Sequence, residues 1–127
     1  MQQSGFSIEL RDHVLVVRFS PTQTITPELL RNAVGQWCEK NKADPRNNIW
    51  DLRGCQISDG VNHHFLEQLV DEIALRPMDR WHERTCLLVA DPLQYGLGRM
   101  FQVLAEKLPY EVVLATEEQQ AWAFVTH

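Results

Sequence analysis

Phe6, Ile8 and Leu10 alternate with polar neighbours, the period-two pattern of a half-buried strand. Arg11-Asp12-His13 interrupts it, and Val14 to Phe19 follows as an apolar, β-branched run. Two strands joined by a short polar turn predict an antiparallel hairpin. The period then changes: Leu29, Leu30, Ala33, Val34, Trp37 and Cys38 recur at helical spacing and make one apolar stripe. Thr26 is placed to cap this helix and Pro27 to open it, with Ile25 and Leu30 as a hydrophobic staple across the cap. Asn41 to Asn48, with Pro45 inside, ends it.

Asn48 to Arg53 is the next predicted strand. Val61, Phe65, Leu66, Leu69, Val70 and Ile73 define a second amphipathic helix, with Ser58 or Asp59 as its expected cap and Pro77 as a break beyond its end. Thr85 to Ala90 is a continuous apolar run, as expected of a strand covered on both faces, and Asp91-Pro92 ends it. Leu97, Met100, Phe101, Leu104, Ala105 and Leu108 form a third helical stripe, and Glu111 to Ala115 a last strand. Thr116-Glu117-Glu118-Gln119 reads as a capping box before a terminal helix that carries Ala121, Trp122 and Val125. The order β-β-α-β-α-β-α-β-α predicts an α/β fold: one mainly parallel sheet with an N-terminal antiparallel hairpin and flanking helices. No repeat or linker divides the 127 residues, so residues 1–127 are expected to form one domain.

Composition narrows the function classes. A formal charge of -5, with Lys and Arg scattered, argues against nucleic acid, whose phosphates recruit clustered cations. No segment approaches the roughly 18 consecutive apolar residues of a membrane span, so any membrane contact is expected to be peripheral. Met1 to Gly5 is polar and lacks the features of a secretory leader. The three cysteines, Cys38, Cys55 and Cys86, are odd in number and lack CxxC spacing. A reducing cytoplasm is the expected compartment. His63-His64 is the only histidine pair, and neighbours on a helix point about 100° apart, so neither a metal nor another cofactor is expected.

Ligands of open α/β sheets gather beyond the carboxyl ends of strands. Those ends supply Asp51, Arg53, Ser58 and Asp59 from one loop, and Asp91 and Tyr95 from the next. Asp51 sits inside a strand pattern and needs a partner there; Arg53, two residues on, is the expected one. Ser58 precedes a predicted helix start, where a phosphate would meet free N–H groups. Gly96-Leu97-Gly98 is half of a phosphate-binding loop, with Phe101 at the third glycine position; close helix-to-sheet packing is the plainer role. Trp81 lies in a polar connector and is expected at the surface, where it or the hairpin edge could support a homodimer. Asp51, Asp91 and Cys55 are the residues an enzyme would use here, but none has an identifiable partner in sequence, and no GxSxG or P-loop motif occurs.

The chain resembles the STAS domain family of anti-sigma-factor antagonists, and more closely its SpoIIAA-like branch. The resemblance runs from Phe6 to Val125. It rests on the opening hairpin, on Ile49-Trp50-Asp51-Leu52-Arg53 as central strand, and on Tyr95-Gly96-Leu97-Gly98-Arg99-Met100-Phe101 in the third helix. In that family the loop after the central strand carries an Asp-Ser or Asp-Thr pair whose hydroxyl a partner kinase phosphorylates. Here the loop reads Ile57-Ser58-Asp59-Gly60, with Gly60 where the hydroxyl would follow Asp59, which leaves Ser58 as a displaced candidate phosphosite. The resemblance implies a non-enzymatic bacterial regulatory module that binds a protein partner. As the alternative it implies, through the SpoIIAA-like branch, a carrier of a small apolar, lipid-like ligand that could associate with membranes, for which Phe65, Leu69, Tyr95, Met100 and Phe101 are the candidate lining.

Overall fold

The computed structural model describes residues 5–76, 83–109 and 111–126. Strand β1 (Phe6–Arg11) pairs antiparallel with β2 (Val14–Phe19), and the hairpin closes at the Arg11↔Val14 pair. The two turn residues, Asp12 and His13, both have positive φ (49° and 70°), as a two-residue turn matched to strand twist requires. Strand β3 (Thr24–Ile25) leads into helix α1 (Pro27–Ala43). Thr26 caps α1, its hydroxyl accepting from Leu29 N at 3.1 Å, and Pro27 occupies the first turn. Strand β4 (Asn48–Asp51), strand β5 (Gln56–Ile57), helix α2 (His63–Ala74) and strand β6 (Arg84–Leu88) come next. Helix α3 (Pro92–Leu104), strand β7 (Glu111–Ala115) and helix α4 (Glu118–Thr126) complete the chain.

The main sheet has the order β1-β2-β4-β6-β7, parallel from β2 to β7. The strands advance in one direction only. Right-handed crossovers then place every connecting helix on the same face. Helices α1, α2 and α3 accordingly share one face with Val17, Trp50, Leu87 and Val89 in a single large core. The alternate side chains of the same strands, Val16, Ile49, Cys86 and Leu88, point the other way, where α4 covers them with Ala121 and Val125. Along the large core an aromatic series runs Phe6–Phe19–Trp50–Trp37, with ring centroids 6.3, 6.4 and 5.9 Å apart. Asn48, fully buried in β4, accepts from Trp50 Nε1 at 2.9 Å and fixes that indole.

Several boundaries differ from the sequence expectation. Helix α2 is capped by Asn62, whose side chain accepts from Phe65 N at 3.0 Å, and not by Ser58 or Asp59. The residues between belong to a loop that first pairs as β5 with β3, a two-residue parallel ladder too short to leave a periodic signal. The β4 ladder ends at Asp51, leaving Leu52 and Arg53 to the loop. The α3 stripe breaks at Leu104, and Ala105–Lys107 continue as a single 3₁₀ turn. Helix α4 starts at Glu118, with Ala121 N bonded to Glu117 O, later than a Thr116 cap would have it. Trp81 lies outside the described residues.

Candidate functional site

The loop after β4 is a set of tethers. Leu52 N continues the β4–β6 ladder by donating to Leu88 O at 2.9 Å. Gly54 takes φ 82°, a left-handed turn suited to glycine, and the chain comes back as β5. Asp51, on the α4 side with Ile49, receives Arg53 Nε (3.0 Å), Arg53 Nη2 (2.9 Å) and Arg53 N (3.1 Å). Arg18, its register neighbour on β2, stands 3.7 Å away, and Arg53 reaches on to Glu118 of α4 at 3.2 Å. Burial pushes the Asp51 carboxyl up, but the hydrogen bonds and charge of Arg53, with the charge of Arg18, outweigh it and hold the carboxyl below its ordinary value. The hydrogen bond to Asp51 in turn raises the Arg53 guanidinium. This network fastens α4 to the sheet end.

Cys55 is buried, with Sγ 3.4 Å from Ser20 O and 3.7 Å from Phe19 O. Burial, and then the Asp51 charge, push its thiol up, away from the thiolate a nucleophile needs. Ser58 is half-buried; its N donates to Ile25 O and its carbonyl accepts from Val61 N, both at 3.0 Å. It lies four residues before the α2 cap, so the helix N-terminus it was expected to border begins further on. Asp59 is exposed. Asp91 caps α3, accepting from Gln94 N at 2.8 Å. Among the described residues no group of His, Cys, Asp and Glu is placed to hold a metal ion. No helix there is long and apolar enough to cross a membrane.

Gln94, one turn into α3, is the residue that sequence reasoning missed. It is 1% exposed, and its amide makes three bonds. Nε2 donates to Leu52 O (2.8 Å) and Cys55 O (2.9 Å), while Oε1 accepts from Ala90 N (2.7 Å). One side chain thus satisfies backbone groups beyond the ends of both β4 and β6 and pins the start of α3 to them. Further along, Gln102 Nε2 donates to Val112 O at 2.8 Å. Between the two glutamines Gly98 faces β7, where a Cβ would lie 2.8 Å from Leu114 Cδ2. Gly98 therefore serves close helix-to-sheet packing, and Gly96 points into open space; both sit inside α3, not at a phosphate-binding helix start.

Beneath α3 the helices and the sheet do not meet fully. A cavity of about 90 Å³ lies between them, walled by Trp50 and Leu87 from the sheet, Trp37 from α1, Leu69 from α2, and Leu97 and Phe101 from α3. No ionisable side chain among the described residues lines it. Leu69 and Phe101 of the expected lining are present. Phe65, Tyr95 and Met100 are not. Phe65 packs in the core under Arg31, 5.0 Å from ring centroid to guanidinium. Tyr95 is 45% exposed on the outer side of α3. Met100 borders a shallow surface depression with His63 and Val103. The whole apolar stripe of α3 packs against the large core, but of it only Leu97 and Phe101 border the cavity. The Asp51–Arg53 pair and the cavity also lie on opposite faces of the sheet, because Asp51 alternates with Trp50 and Leu52.

No family model matches the sequence, and no curated protein matches it. A crystal structure does: an uncharacterized protein of the DUF3478 family from Shewanella loihica PV-4, described as having a SpoIIAA-like fold. The TM-score is 0.59 over 98% of each chain, at 12% sequence identity. The fold of this chain is SpoIIAA-like.

The tethers make two predictions. Gln94→Leu leaves Leu52 O, Cys55 O and Ala90 N without the amide and is expected to lower stability by about 2–5 kcal/mol in urea melts; an unchanged midpoint would show that the amide holds nothing. Asp51 has a depressed carboxyl, so its contribution is whole above the ordinary value of 3.8 and is lost as pH falls through the lower folded value. Asp51→Asn should therefore cost about 1–3 kcal/mol at pH 7, and the gap to the parent protein should close in acid. A gap that stays constant through the acid limb of the titration, until both proteins unfold, would assign the effect to something other than the carboxylate.

Proposed function

We propose that this protein is a non-enzymatic carrier that binds a small apolar ligand in the cavity beneath α3. The cavity itself is the observation that carries this reading. Protein interiors are close-packed, with few voids larger than a water molecule. An unfilled apolar void of about 90 Å³ costs about 2 kcal/mol, a sizeable share of a domain's net stability. Simple collapse of α3 onto the sheet would remove that cost. The Gln94 and Gln102 bonds oppose it, because closing the gap would strain or break bonds to buried backbone carbonyls at two separate points on the helix. A ligand would recover the lost contacts without disturbing either anchor. The SpoIIAA-like fold and the carbon-rich lining are compatible with such a role, in the cytoplasm that the free cysteines suit.

A second reading, a regulatory module that binds a protein partner, is favoured by a different feature. Leu93 (58%), Tyr95 (45%) and Val103 (54%) are exposed on α3. Exposed apolar side chains of this size are ones a protein partner would cover. Capture from native lysate that recovers no stoichiometric protein would remove this reading.

Toluene is a suitable probe of the carrier reading. Binding should raise the unfolding midpoint with ligand concentration, approaching about 2.7 kcal/mol at a hundredfold excess over Kd. Leu69→Phe should fill the space, abolish that response and leave the apo protein at least as stable. Overpacking a core already full would instead cost about 1–3 kcal/mol. No response to toluene, together with a destabilised Leu69→Phe variant, would contradict a binding cavity.

A further inference from the structure

Among the described residues, the Thr85 hydroxyl beside the cavity lacks a hydrogen-bond partner. Thr85 sits in β6 between Asn48 of β4 and Val112 of β7, on the cavity side of the sheet, alternate to Cys86. The residue is 4% exposed, and its Oγ1 has no hydrogen-bond partner among the described residues. Leaving a buried hydroxyl unsatisfied costs about 1–3 kcal/mol. Valine has the same shape, suits a strand and carries no such cost. Gln94, also on the wall, has its amide engaged by three backbone groups and has little to offer a bound molecule. Water is a poor occupant for Thr85, since a buried water needs two to four polar partners and the neighbouring wall is mostly carbon.

Resting on the carrier reading above, we infer that the ligand is a small uncharged molecule with an apolar body and one hydrogen-bonding group, a hydroxyl or carbonyl, that meets Thr85 Oγ1. A threonine hydroxyl can donate one bond and accept others, so it serves either group. With no ionisable side chain on the described wall, a charged head group does not fit, because burying an unpaired charge is prohibitive. The volume of about 90 Å³ is below that of the about 150 Å³ apolar cavity that binds benzene, so the occupant is at most a single small ring, admitted by small shifts of the lining side chains while α3 keeps its anchors.

Phenol and toluene have nearly the same shape and differ in the one group at issue. Titration calorimetry of the intact protein should find phenol bound at least as tightly as toluene. In Thr85→Val the phenol dissociation constant should rise about tenfold, the loss of one neutral hydrogen bond with its buried partner, while that for toluene stays within about twofold. Thr85→Ser, which restores the hydroxyl, should recover most of the phenol affinity. Toluene binding with phenol rejected, or phenol binding indifferent to Thr85→Val, would overturn the inference and leave the carrier reading standing. If neither compound binds, the carrier reading fails and the inference falls with it.

Discussion

The Gln94 amide is the constraint on which this architecture turns. Strands β4 and β6 end side by side, and the backbone beyond them leaves the ladder with a carbonyl at Cys55, an N–H at Ala90 and a carbonyl at Leu52 that otherwise accepts only a long bond from Cys55 N (3.3 Å). A loop cannot leave such groups unpaired in the interior. A glutamine, having both a donor and an acceptor on one planar amide, answers all three at once. Its position is set by Asp91, which caps α3 through the N–H of Gln94 itself. Cap, amide and strand ends are therefore one unit, and the angle at which α3 leaves the sheet is decided there.

That angle explains why an apolar helix buries so little of itself. Only Gln94 and Gly98 of α3 are buried, although the helix is rich in leucine, methionine and aromatic residues. Gly98 lets the backbone approach Leu114, and Gln102 ties the far end to Val112. Leu97 and Phe101 then reach toward Trp50 and Leu87 without filling the space, while Leu93, Tyr95 and Val103 stay outside. The one-directional strand order has a related consequence. A sheet wound in one sense has no point where the strand order reverses, and so lacks the crevice that serves ligands in doubly wound folds. The interior under the three helices becomes the place where space is left.

The fold was largely legible because its signals are local. Thr26-Pro27 announces α1, and the switch from alternation to helical spacing marks nearly every element. The α2 cap was less so: Asn62 follows Ser58, Asp59 and Gly60, a run of equally good cap formers, and only the backbone pairing of β5 with β3 decides among them. The Asp51–Arg53 pair could be anticipated from spacing on one strand face. The cavity could not, since periodicity says which side of a helix is apolar but not how far that side stands from its neighbour. Two residues carried a readable hint. Gln94 falls in the same helical register as Leu97, Gly98 and Phe101, a polar position inside an apolar stripe. Thr85 opens an otherwise apolar strand run with a hydroxyl. A polar group at an apolar position is where partners should be sought first.

Xenon reports directly on the central claim, that a dry, accessible space exists beneath α3, because it enters apolar cavities without needing a polar contact. Crystals of the protein under xenon pressure should show a bound atom bordered by Trp50, Leu69 and Phe101, with Gln94 and its three bonds undisturbed. A well-ordered core in which side chains fill the space between Trp50, Leu69 and Phe101, with no xenon there, would contradict the account.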